Sequence, residues 1–98
     1  MTLQELTDKM KEGASKKSSF GNTVKFDTDQ GVIYIDGNAN PPVISNDDKG
    51  ADCTVKMDFS DFADLIGGKL DGMTAFMTGK LKIEGDMGVA MKLQNILR

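Results

Sequence analysis

A chain of 98 residues holds one domain, and residues 1–98 are read here as a single unit. For that length, surface scaling gives about 5,500 Å² accessible when folded against about 15,000 Å² unfolded, enough to bury one modest core. At 39% hydrophobic and 28% charged residues the composition is globular rather than disordered. The sequence has no histidine, which removes the usual catalytic triad, an imidazole base and His-containing zinc or iron sites. The single cysteine, Cys53, excludes an internal disulfide and a Cys-rich metal site. A net charge of −3 with a pI near 4.8 argues against nucleic acid as a partner. No apolar run approaches the ~18 residues that span a bilayer, and Met1 to Gly13 lacks the core of a signal peptide.

Thr2-Leu3-Gln4-Glu5 has the form of a capping box, and Leu3, Leu6 and Met10 recur at helical spacing. This predicts a first helix over about residues 3–13, stopped by Gly13. After a small, polar stretch from Ser15 to Gly21, Val24 and Phe26 alternate with Lys25 and Asp27. Asp29-Gln30-Gly31 then turns the chain into the β-branched and aromatic run Val32–Ile35, so residues 22–28 and 32–37 read as a hairpin. Pro41 and Pro42 keep any strand near 42–45 short or at an edge. Cys53, Val55 and Met57 alternate with Thr54 and Lys56, predicting a strand over 53–58. Ser60 opens a short helix with the stripe Phe62, Leu65 and Ile66, stopped by Gly67-Gly68. Asp71 opens another, with Met73, Phe76 and Met77 on one face. Leu81 and Ile83 mark a last strand over 80–84, and Asp86 caps a final helix through about Leu97. The apolar residues of that helix occupy more than one face, so it packs against two surfaces or faces a ligand or partner. The order of elements predicts an α+β domain: a single five-stranded, mainly antiparallel sheet with helices gathered on one face.

Few residues offer chemistry. Gly79-Lys80 is followed by Leu81, not Ser or Thr, which breaks the P-loop pattern. Asp47, Asp48 and Asp52, and separately Asp58, Asp61 and Asp64, cluster without the spacing of a calcium loop, and read as solvated turn and helix-start residues. Cys53 on a strand face beside Val55 and Met57 reads as a small buried hydrophobe. Catalytic residues, metals and cofactors are expected to be absent, and the reading is non-enzymatic. Four of the seven methionines form two i,i+4 ladders, Met73/Met77 and Met87/Met91, on helices either side of the Leu81–Ile83 strand. Flexible, polarizable Met side chains suit gap-filling in a small core, and they equally suit a surface that fits variable apolar shapes. The nearly all-round apolar last helix favours the lined cavity.

Three segments carry a resemblance: Ala51-Asp52-Cys53-Thr54-Val55-Lys56-Met57, Ser60-Asp61-Phe62, and the block from Gly79 through Gly85-Asp86-Met87-Gly88 to Gln94. They resemble the sterol carrier protein two family, also called non-specific lipid-transfer proteins. The resemblance implies a five-stranded sheet covered on one side by helices, with an apolar tunnel between them. It further implies non-catalytic binding, and transfer, of fatty acids, fatty acyl-CoA, phospholipids or sterols. By match to the motif, Met73, Phe76, Met77, Leu81, Ile83, Met87 and Met91 line the tunnel, and Gln94 offers one polar side chain near the ligand. Relatives often end in a Ser-Lys-Leu type tripeptide, whereas this chain ends Ile96-Leu97-Arg98, so a cytoplasmic location is expected rather than a peroxisomal one. The expected partner is a lipid or acyl chain, with at most transient contact with a membrane surface, and the protein is expected to be a monomer. The alternative is a partner-binding protein that docks its apolar C-terminal helix into another protein. A carboxylate-dependent hydrolase ranks lowest, because no nucleophile, metal set or oxyanion motif accompanies the acids.

Overall fold

The computed structural model describes residues 1–96, with side chains described to residue 92. Its elements follow in the order α1 (Leu3–Ala14), β1 (Thr23–Thr28), β2 (Gly31–Asp36), β3 (Val43–Ser45), β4 (Cys53–Met57), α2 (Phe59–Ile66), α3 (Gly72–Met77), β5 (Leu81–Gly85) and α4 (Met87–Ile96). The strands form one sheet in the order β3-β2-β1-β4-β5. Three of its pairings are antiparallel, and the fourth, β1 with β4, is parallel.

Register explains which face carries the core. Val24 lies opposite Ile35 and Cys53, Phe26 opposite Ile33 and Val55, and Met57 opposite Leu81. Side chains alternate across a strand, so these residues share one face, and all of them are buried. The helices add Leu6 and Met10 from α1, Phe59 and Phe62 from α2, Ala75 from α3 and Val89 from α4. The opposite face carries Lys25, Asp27, Thr54, Lys56, Lys82 and Glu84, with Lys56 and Glu84 3.3 Å apart as a cross-strand ion pair. This is the one-sided sheet expected of an α+β domain.

Several element ends differ from the sequence reading for physical reasons. The capping box forms as expected, with the Glu5 N–H donating to Thr2 Oγ1 at 3.1 Å and the Thr2 N–H to Glu5 Oε1 at 2.9 Å. Gly13 does not stop α1, because its φ is not positive and Ala14 behind it buries against the core. Ser15 ends the helix instead, its hydroxyl donating to the Glu12 carbonyl at 2.7 Å. Helix α2 begins one residue before Ser60. The freed Phe59 N–H donates to Asp29 Oδ1 at 2.7 Å, a cap supplied from the hairpin turn 30 residues away in sequence. The expected end of the last helix at Leu97 lies outside the described residues.

Candidate functional site

The second half of the chain builds a cavity over the core face of the sheet. Phe62 fixes the position of α2, its ring stacking on Phe26 at 4.5 Å between centroids. From there α2 ends on Leu65 and Ile66, and the loop Gly67-Gly68 leads to Leu70 and α3. Gly68 has φ +80, the left-handed conformation that lets the chain reverse at the helix end. Asp71 starts α3, its Oδ2 accepting from the Thr74 N–H at 3.0 Å. Asp86 starts α4 in the same way, its Oδ1 accepting from Gly88 at 2.8 Å and Val89 at 3.4 Å.

Between these helices lies a cavity of about 660 Å³. Its floor is Phe26, Val55, Leu81 and Ile83 of the sheet; its walls are the α2 end with its loop, α3, and α4. Phe26, Val55 and Leu81 of the floor are buried and Ile83 is half-buried, whereas Met73, Phe76, Met87 and Met91 at the rim are 46–78% exposed. The site is therefore a cavity with an open mouth. Asp71 is its acidic group, and that carboxylate is engaged by the α3 backbone and by the Thr74 hydroxyl at 3.3 Å. Such a lining can bury an apolar chain, and among the described residues it presents no pair of groups poised to exchange a proton.

Of the eight residues named from sequence, Met73, Phe76, Leu81, Ile83, Met87 and Met91 meet around this cavity. Met77 does not reach it and is 77% exposed. Positions i and i+4 are offset by about 40° around a helix, and α3 ends on Met77, so the offset carries that side chain past the cavity edge. The Gln94 side chain lies outside the described residues. Sequence reasoning missed the wall formed by Leu65, Ile66, Leu70 and the two glycines. The Leu65-Ile66 stripe was the available signal, but Gly67-Gly68 reads as punctuation rather than as lining. Ala90, the small residue between Met87 and Met91, was also missed.

Cys53 lies fully buried beneath α4, and burial pushes its thiol pKa up, with the negative charge of Asp86 adding to the shift. It is a packing residue, as the strand pattern implied. Among the described residues no group of His, Cys, Asp and Glu could hold a metal ion, and no helix is long and apolar enough to cross a membrane.

A one-sided α+β sheet with an apolar, open-mouthed cavity under its helices defines the class of domain. The chain belongs to the SCP-2 sterol transfer family, which it matches over residues 2–98. Over 59 residues, 60% of its length, it is 54% identical to sterol carrier protein 2 of Homo sapiens, covering 11% of that protein. It is 44% identical over 75 residues to hydroxysteroid dehydrogenase-like protein 2 of Danio rerio, covering 17% of it. The chain thus spans between a tenth and a fifth of the length of these curated relatives. Among solved structures, the sterol carrier protein domain 2 of Helicoverpa armigera matches with a TM-score of 0.78 at 25% identity, over 96% of this chain and 84% of that one. Palmitated SCP2L2 of Aedes aegypti matches with a TM-score of 0.74 at 19% identity, over 100% of this chain and 96% of that one, a likeness of fold.

Proposed function

We propose that the cavity binds the apolar chain of a lipid without covalent chemistry, the ligand being a fatty acid, fatty acyl-CoA, phospholipid or sterol whose polar end stays at the mouth. The observation that carries this reading is the 660 Å³ apolar cavity, open at a rim of Met73, Phe76, Met87 and Met91. At ~30 Å³ per methylene-sized group, that volume takes on the order of twenty such groups, the size of a long acyl chain. Each methylene buried contributes ~0.8 kcal/mol, so chain length rather than head group governs affinity. The rim methionines support tolerance of varied chain shapes, because a thioether side chain has three free torsions and adapts at little cost. A relative of the same fold is described as palmitated, which accords with an acyl ligand.

The test is a denatured extract of the purified protein examined by mass spectrometry. Lipid recovered in near-stoichiometric amount is the expected result. A lipid-free extract, together with a co-purifying protein, would favour the alternative in which α4 docks its methionines into a partner.

A further inference from the structure

The sulfur atoms of this molecule are unevenly placed. A hydroperoxide oxidises cysteine thiolates and methionine thioethers that it can reach. Cys53 is fully buried, and burial with the charge of Asp86 raises its pKa, so it offers neither access nor thiolate. Of the seven methionines, Met10 and Met57 are packed in the core, and Met1 is the first residue of the chain. The other four stand together. Met73, Met87 and Met91 line the cavity, Met77 lies past its edge on α3, and all are 49–78% exposed. Apart from Met1, the accessible sulfur surrounds one opening.

Resting on the reading of the cavity as a lipid site, we propose that Met73, Met87 and Met91 form a modification site for hydroperoxides, and that their conversion to sulfoxides closes the cavity to lipid. In the reaction the thioether sulfur attacks the terminal peroxide oxygen. An S–O bond forms as the O–O bond breaks, and the proton of the transferred oxygen passes to the departing one. That oxygen leaves as an alcohol, or as water when the oxidant is hydrogen peroxide. Sulfur is oxidised, the peroxide is reduced, and no further reactant is needed. The product carries a polar S=O group where an apolar thioether stood. On Met77 that group stays in water and changes nothing at the cavity. On the cavity lining it meets the ligand, and the described lining side chains include no hydrogen-bond donor to satisfy it. The sulfoxide either keeps its water, which holds an acyl chain out, or is stripped of it at a cost in binding. An occupied cavity has the converse effect, because the bound chain covers the lining sulfurs and leaves Met77 open. The empty form is therefore the one that is modified. Met10 and Met57 are shielded by the core, so the fold outlasts the change at the mouth.

The experiment treats the full chain with a limiting dose of hydrogen peroxide, with and without palmitate, and locates the added oxygen by peptide mass spectrometry. Met73, Met77, Met87 and Met91 should gain oxygen while Met10 and Met57 do not. Palmitate should slow the reaction at Met73, Met87 and Met91 and leave Met77 as fast as before. The oxidised protein should melt within a few degrees of the untreated one by circular dichroism. Its affinity for a fluorescent fatty acid should fall about tenfold. Methionine sulfoxide reductases of both epimer specificities should restore that affinity. A variant combining Met73→Leu, Met87→Leu and Met91→Leu keeps an apolar lining without sulfur, and should bind the fluorescent fatty acid equally before and after peroxide. Met77→Leu should remain as sensitive as the unaltered protein. Affinity unchanged by oxidation would overturn the proposal and leave the cavity reading standing. So would an equal loss in the triple leucine variant, or a loss that the reductases do not reverse. An untreated protein that binds no fatty acid would overturn the cavity reading itself, and the proposal with it.

Discussion

Phe62 and Met91 are both apolar helix residues in the half of the chain that builds the cavity, yet they should respond to substitution in opposite ways. Phe62 is fully buried and stacked on Phe26, so Phe62→Ala removes about 3–5 kcal/mol of the roughly 5–15 kcal/mol that a domain of this size has. The expected outcome is a melting temperature lowered by roughly 12–40 °C in circular dichroism. Met91 is 78% exposed at the cavity mouth, and a carboxylate there stays hydrated. Met91→Glu should therefore melt within a few degrees of the unaltered protein while weakening lipid binding. Met87→Glu, at a side chain only 49% exposed, should weaken binding more. A Met91→Glu protein that unfolds would place this side chain in the core. Cys53 gives a pH-dependent counterpart. Burial and Asp86 raise its pKa in the folded state, so the folded protein keeps a proton that the unfolded chain gives up. Stability is unaffected below the ordinary thiol range and falls as pH climbs through and above it. Iodoacetamide at pH 8 should leave Cys53 unmodified until urea is added, and ready labelling of the native protein would contradict its placement.

At the scale of elements, the cavity walls are the least self-sufficient parts of the fold. Helix α3 has six residues, well below the ~12 that sustain an isolated helix, and depends on its Asp71 cap. Asp71→Ala should cost about 0.5–2 kcal/mol and raise hydrogen exchange in α3 before it affects β1 or β4. Gly85 joins β5 to α4 at φ +97, where a Cβ would meet the Asp52 carbonyl oxygen. Gly85→Ala should lower the melting temperature well beyond the change at an exposed glycine such as Gly50, whose Cβ would meet nothing. The sheet and its helices were legible because their signals are local: the Thr2–Glu5 box, the alternation at Cys53-Val55-Met57, and Asp71 and Asp86 before apolar stripes. The start of α2 was not, since its cap comes from Asp29 across the fold. Met77 misled for a related reason, as an i,i+4 ladder records a shared helix face but not where the opposite wall ends. The cavity itself belongs to no residue. Its walls include the Gly67-Gly68 loop, and only the packing of α2 on Phe26 puts that loop there.

As a whole, the molecule divides its labour along the chain. The accessible surface is 5510 Å², close to the ~5,500 Å² expected of a well-packed chain of this size, so the cavity is held open without loosening the rest. α1, the hairpin and β3 close one end of the sheet with a dense core, and α2, α3 and α4 span the other as walls around the cavity. The central claim is that this cavity selects its ligand by buried chain length. Displacement of a fluorescent fatty acid by saturated fatty acids of increasing length tests it most directly. Affinity should rise about fourfold per added methylene through the medium lengths and level off as the chain approaches about twenty carbons, where the cavity is full. Flat affinities across the series, or no displacement at any length, would contradict it.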